Sequence, residues 1–176
     1  MTNPFKIIST RKIYENLWIS LREDSVEKWW KTGIFGIVTM KNGVCVLIID
    51  NENNILINRE YKYALERYDI NLPGGAIDEW ESPLEWAKRE IEEELGYIAD
   101  EWISLGHIHP LTTIIIETEY LFLARKLTKT QKYEDIWEEI EEIRLPYNVV
   151  LEMVMNSEIT HGWSVAAILK AQKYLQ

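Results

Sequence analysis

The stretch LPGGAIDEWESPLEWAKREIEEELGY, residues 72–97, constrains this chain most, because it sets eight acidic residues against two basic ones and runs them into a helix. Like charges one turn apart repel, so the cluster is unfavourable unless water or a cation screens it. The helix is punctuated at both ends. Ser82 stands at the N-cap, Pro83 at the first helical position and Glu85 three residues after the cap. Gly96 falls where a left-handed residue ends a helix at little cost. Leu84, Ala87, Ile91 and Leu95 recur at helical spacing and predict the face turned to the core. Glu90 and Glu94 are one turn apart and point the same way, with Glu93 beside them and Arg89 one turn before Glu93. These acids crowd the C-terminal half, where the helix dipole disfavours negative charge. A solvated helix face gains nothing from that placement, whereas a hard divalent cation with oxygen ligands offsets it.

Composition narrows the classes of partner. A chain of 176 residues with 47% apolar content is long enough to bury a substantial core. Its net charge of −10 argues against general nucleic-acid binding and against attachment to acidic membranes. The single cysteine, Cys45, excludes an intrachain disulfide and is expected in the core of a strand. No apolar run approaches the length of a membrane span, and no signal-peptide pattern stands at the N-terminus, so a cytoplasmic location is expected.

Around the acidic helix the chain reads as mixed strands followed by helices. Residues 11–21 form a strand or hairpin arm in this reading. Residues 33–40 and 44–50 are β-branched strands separated by Lys41-Asn42-Gly43, an Asn-Gly hairpin signal. A second turn at 51–54 leads into the strand ILINREY, and residues 102–109 and 117–126 read as two more strands. Residues 146–157 and 163–175 have helical apolar spacing. This order predicts an α/β/α sandwich with a mixed sheet.

Gly75, five residues, Glu81, seven residues and then Arg89-Glu90-Ile91-Glu92-Glu93-Glu94-Leu95-Gly96-Tyr97 resemble the signature of the Nudix hydrolases. The resemblance extends over roughly residues 33–170 and implies the same α/β/α sandwich. It divides the chain into an N-terminal strand or hairpin arm, 1–32, and a hydrolase domain, 33–176. The segments YENLWISLRED, NREYKYALERYDINLPGG and EITHGWSVAAILKA look like the nucleoside diphosphate sugar hydrolases related to ADP-ribose pyrophosphatase. That likeness implies metal-dependent cleavage of the pyrophosphate in ADP-ribose or a related nucleoside diphosphate sugar. Hydrolysis of nucleoside triphosphates or dinucleoside polyphosphates, and nucleotide sensing without turnover, are the alternatives.

By the same resemblance Glu90 and Glu94 are the main metal ligands and Glu93 shares the site. A backbone carbonyl near Gly75 or Ala76 completes it, Arg89 holds the carboxylates and Glu81 closes the motif. Magnesium is the implied ion, with manganese as a substitute. Glu138 is the implied base among Glu134, Glu138 and Glu139, with Glu119 a further candidate. Arg59 and Arg67 are candidates for phosphate contact, since a guanidinium pairs bidentately with phosphate; salt bridging on an acid-rich surface explains them almost as well. Tyr14 and Trp18 are candidates for stacking a base if the arm exchanges between two subunits of a homodimer, as the resemblance implies. Trp29 and Trp30 are expected to pack. His107 and His109 alternate along a strand and are expected to hydrogen bond rather than bind metal, and His161 is expected at a cap or the surface.

Overall fold

Strand Gly43–Ile49 (β4 below) is buried along its whole length, so its alternating side chains must feed two cores. In the computed structural model, which describes residues 3–78, 80–132 and 140–175, they do so. Val44, Val46 and Ile48 face one cluster, and Cys45, Leu47 and Ile49 face the other. The chain forms two units, residues 1–42 with 109–118, and residues 43–108 with 119–176.

The first unit is a sheet in the order β1-β2-β3-β8. Strands β1 (Lys6–Glu15), β2 (Ile19–Lys28) and β3 (Lys31–Met40) form an antiparallel meander, and the short β8 (Ile115–Ile116) pairs parallel to β3. Every residue of β1 is exposed, including Ile7, Ile8, Ile13 and Tyr14. Trp29 and Trp30 turn the β2–β3 hairpin. Instead of packing into a core they stand exposed against each other, ring centroids 6.0 Å apart.

The second unit is a mixed six-stranded sheet in the order β10-β5-β4-β9-β7, with β6 also paired to β5. Its strands are β4, β5 (Asn54–Lys62), β6 (Arg67–Asn71), β7 (Tyr97–Ile108), β9 (Glu119–Lys129) and β10 (Glu141–Pro146). Helix α1 (Pro83–Leu95) covers one face through Ala87, Ile91 and Leu95. On the other face α3 (Gly162–Ala171) packs Ala167, Ile168 and Ala171, while α2 (Tyr147–Met155) contributes Val150. This is an α/β/α sandwich, as the sequence predicts. Ser82 Oγ caps α1 by accepting from Glu85 N at 3.3 Å, and Gly96 closes it at φ 69°. Tyr97 packs inward beside Leu95, and its hydroxyl accepts from Arg144.

The expected hairpin across Asn42-Gly43 does not form. β3 pairs with β2 and β8, whereas β4 pairs with β5 and β9. Two contacts distant in sequence outweigh the turn propensity. Asn42 Oδ1 accepts from Thr118 N at 2.9 Å, and a side chain at Gly43 would put its Cβ 2.3 Å from the Glu119 carboxylate. Here glycine permits a close approach rather than a turn.

The loop 73–75 closes against β4 in the manner of a strand. Val46 N donates to Pro73 O and Val44 N to Gly75 O, both at 2.9 Å. A Cβ on Gly74 would lie 2.0 Å from the Val44 carbonyl oxygen, a backbone atom that has no rotamer to escape into. Gly74→Ala is therefore expected to destabilise the protein by about 1–3 kcal/mol through overpacking. Gly162→Ala, where a Cβ meets nothing within 4 Å, should change stability by no more than about 1 kcal/mol. Urea unfolding of the two variants checks this, and equal losses would mean that the loop's approach to β4 is not tight.

Candidate active site

The acids of α1 split by helical position into two roles. Glu93 Oε2 accepts from Arg89 Nη1 at 2.6 Å, one turn back, and Arg89 Nη2 donates to Glu81 Oε2 at 3.1 Å. The guanidinium also lies over the Trp86 ring, 4.0 Å from its centroid. Its two carboxylate partners hold the Arg89 pKa above the ordinary guanidinium range, the Glu81 hydrogen bond first among the causes. Glu90 and Glu94 belong to the opposite role. The Glu90 carboxylate stands so near the backbone that a Cβ on Gly75 would lie 2.1 Å from Oε1. Glu94 lines a cavity of about 110 Å³ together with Gly74 and Pro73. Gly75 is thus what lets the Glu90 carboxylate reach the loop.

Whether these residues suit a divalent ion follows from the donor set. Among the described residues no three His, Cys, Asp or Glu side chains gather into a cage. Magnesium does not need one, because it keeps several waters and is commonly held by one or two carboxylates together with substrate phosphates. Two carboxylates beside a loop whose glycine leaves its backbone uncovered fit that demand. A site for zinc, built from histidine and cysteine, is not what these residues make. Ala76 stands beside them in an isolated bridge to Gly43.

The candidate residues outside α1 are placed as follows. Arg59 pairs with Glu141 at 3.0 Å and lies over Tyr68, and it is not among the cavity-lining residues. Arg67 pairs with Asp69 at 3.1 Å and reaches Thr160 at 3.4 Å. Tyr14 and Trp18 are exposed in the first unit, where Trp18 has Lys41 Nζ 5.4 Å from its ring centroid. Glu119 is fully buried at the start of β9 beside Gly43. Glu134, Glu138 and Glu139 lie outside the described residues. His109 Nδ1 is 3.0 Å from the Glu117 carbonyl oxygen, and the His107 ring is 6.2 Å from that of Tyr120. Burial and the Glu119 charge push the Cys45 thiol far up, so it is no nucleophile.

Sequence reasoning missed the polar wall facing Glu94. Asn58, Glu60 and Lys62 line the cavity from β5, joined by Asn71 from β6 and by His161 and Trp163 at the start of α3. Strand periodicity held the signal: with a repeat of two, residues 58, 60 and 62 share one face and Arg59 and Tyr61 the other. His161 is the N-cap residue of α3, as expected, but its side chain does not bond the helix end: Nδ1 lies 2.8 Å from Ser164 Oγ, which accepts from Leu72 N at 2.8 Å. Burial holds its pKa below the ordinary imidazole range, assisted by Lys62 and opposed by Asp69 and Glu60.

Residues 39–160 match the NUDIX domain. The chain is 29% identical to a methanol dehydrogenase activator from Bacillus methanolicus, covering 97% of this chain and 92% of the relative. It is 26% identical to an ADP-ribose pyrophosphatase from Bacillus subtilis (strain 168), with the same coverage. A crystal structure of an ADP compounds hydrolase superposes with a TM-score of 0.87 at 19% identity, covering 99% of this chain and 96% of that one. That superposition speaks for the fold, and the motif residues together with the domain match speak for the class: this chain is a member of the Nudix hydrolase family.

Proposed function

We propose that the protein hydrolyses the pyrophosphate bond of ADP-ribose or a related nucleoside diphosphate sugar, giving a nucleoside monophosphate and a sugar phosphate. The observation that carries this reading is the Glu90 carboxylate set against the bare Cα of Gly75, with Glu94 lining the adjoining cavity. Relatives described as an ADP-ribose pyrophosphatase and, in Escherichia coli, an ADP compounds hydrolase support the substrate class.

Members of this family generally use divalent metal, and magnesium suits the oxygen donors here, with manganese as a substitute. Glu90 and Glu94 would hold it, with Glu93 and the Ala76 carbonyl sharing the site. When bound, the ion lowers the pKa of water and neutralises charge developing on the phosphoryl oxygens. Arg89 fixes the rotamer of Glu93 and ties α1 to Glu81, so the carboxylates are positioned before substrate arrives. Glu138 is the proposed base. Arg59 and Arg67 are proposed to contact substrate by exchanging their present carboxylate partners for phosphate.

The likeness to a dehydrogenase activator supports a second reading, in which the protein regulates a partner enzyme. A homodimer joined through the arm is also proposed, because β1 carries exposed isoleucines and Tyr14 along its length. Exchange of that arm would let Tyr14 or Trp18 cover the substrate base. A cytoplasmic location accords with the lone buried cysteine, and none of the described helices is long and apolar enough to cross a membrane.

Chromatographic identification of products from ADP-ribose is the direct assay. Activity should require magnesium, stop on chelation, and fall at least about 100-fold in Glu90→Gln and in Glu94→Gln with the fold retained. Glu92→Gln should retain activity, since its side chain is off the Glu90/Glu94 face. Full activity in verified absence of metal, or equal losses at all three positions, would sink the mechanism. Turnover confined to triphosphates would move the substrate assignment. Sedimentation should show a dimer that is lost on removing residues 1–22, with substrate binding weakened more than metal binding. An intact protein that stays monomeric would defeat the dimer.

A further inference from the structure

Asn58 is 2% exposed, and its Oδ1 is buried with no hydrogen-bond partner among the described residues. A buried amide oxygen left unpaired is destabilising. Such a group in a cavity wall calls for a donor, which an ordered water or a ligand supplies. The remaining lining says which donor. Lys62 is paired with Glu60 at 2.7 Å, so the cavity has no net positive charge with which to hold a phosphate. His161 is kept neutral near pH 7 by burial. Asn71 stands directly across the β5–β6 ladder from Asn58, and the Trp163 ring lies 4.9 Å from that of His161. Paired amides, a carboxylate, a neutral imidazole and an indole form a hydrogen-bonding cavity with one aromatic wall. That chemistry recognises a polyhydroxylated ring, whose hydroxyls donate and accept while its C–H face packs on an aromatic.

Position supports the same conclusion. Glu94 lines the same cavity, so whatever fills it lies next to the carboxylates that face the pyrophosphate. In a nucleoside diphosphate sugar the group next to the pyrophosphate, on either side, is a sugar. We propose that this cavity is the sugar subsite of the enzyme, with Asn58 Oδ1 accepting from a ring hydroxyl and Trp163 packing against the ring. The assignment rests on the pyrophosphatase reading above and adds the residues that set sugar selectivity.

Asn58→Leu keeps the γ-branched shape, with bulkier methyls in place of the amide atoms, and removes the acceptor. Because it also removes an unpaired buried polar atom, the variant should melt no lower than the parent. Titration calorimetry with ribose 5-phosphate and with AMP then separates the two sides of the substrate. Binding of the product whose sugar enters the cavity should weaken at least about tenfold, as expected for a lost buried hydrogen bond, and the other should be unchanged. Loss with ribose 5-phosphate assigns the leaving sugar, and loss with AMP assigns the nucleoside ribose. Trp163→Leu should weaken the same product. Unchanged binding of both products in a folded Asn58→Leu protein, or no binding of either by the parent, would overturn the subsite. Parent turnover of ADP-ribose is measured alongside. Its absence with Asn58-sensitive binding would remove the hydrolase substrate while leaving the subsite, and its presence with insensitive binding would do the reverse.

Discussion

The pairing of loop 73–75 with β4 is the constraint on which the rest of the site depends. Two backbone hydrogen bonds, Val46 N to Pro73 O and Val44 N to Gly75 O, lay the loop along a strand that is buried on both faces. A Cβ at Gly74 would strike the Val44 carbonyl, and one at Gly75 would displace the Glu90 carboxylate. The loop is therefore rigid by packing and bare by composition. A carboxylate can approach its backbone, and the electrostatic cost of assembling acids there is offset when a cation binds. The acids of α1 are unfavourable as helix decoration and become reasonable only beside this loop.

Helix α1 transmits the position of the sheet to the site. Ala87, Ile91 and Leu95 are locked into the cluster with Val44, Val46 and Ile48, so the opposite turns of the helix cannot rotate freely. Glu90 and Glu94 follow from that face by helical geometry. Arg89 holds Glu93, together with Glu81, above the Trp86 ring. Placement of the proposed metal ligands on a packed helix, rather than on a loop, is what precise positioning requires.

Much of this was legible in the chain. The cap at Ser82, the stop at Gly96 and the apolar repeat from Leu84 to Leu95 define α1 because each is a local signal acting within one helix. The β-branched run of β4 and the helical spacing of α2 and α3 were visible for the same reason. Asn42-Gly43 misled because its local preference for a turn lost to non-local contacts, the Thr118 amide on one residue and the Glu119 carboxylate on the other. The meeting of Asn58, Lys62 and His161 around one cavity went unread because it depends on strand pairing and on a helix a hundred residues away. Arg59 drew attention by its charge, yet the strand's repeat of two turns it towards Tyr68 and Glu141.

The central claim is that α1 and the glycine loop together form a divalent-metal site for a pyrophosphate. Its most direct test is an anomalous difference map from crystals grown with manganese and a non-hydrolysable ADP-ribose analogue. The account predicts a peak bonded to the carboxylates of Glu90 and Glu94 beside the Gly75–Ala76 backbone, with a phosphate oxygen in its coordination shell. A peak held elsewhere, at the histidines or on the first unit, with Glu90 and Glu94 unligated, would contradict it.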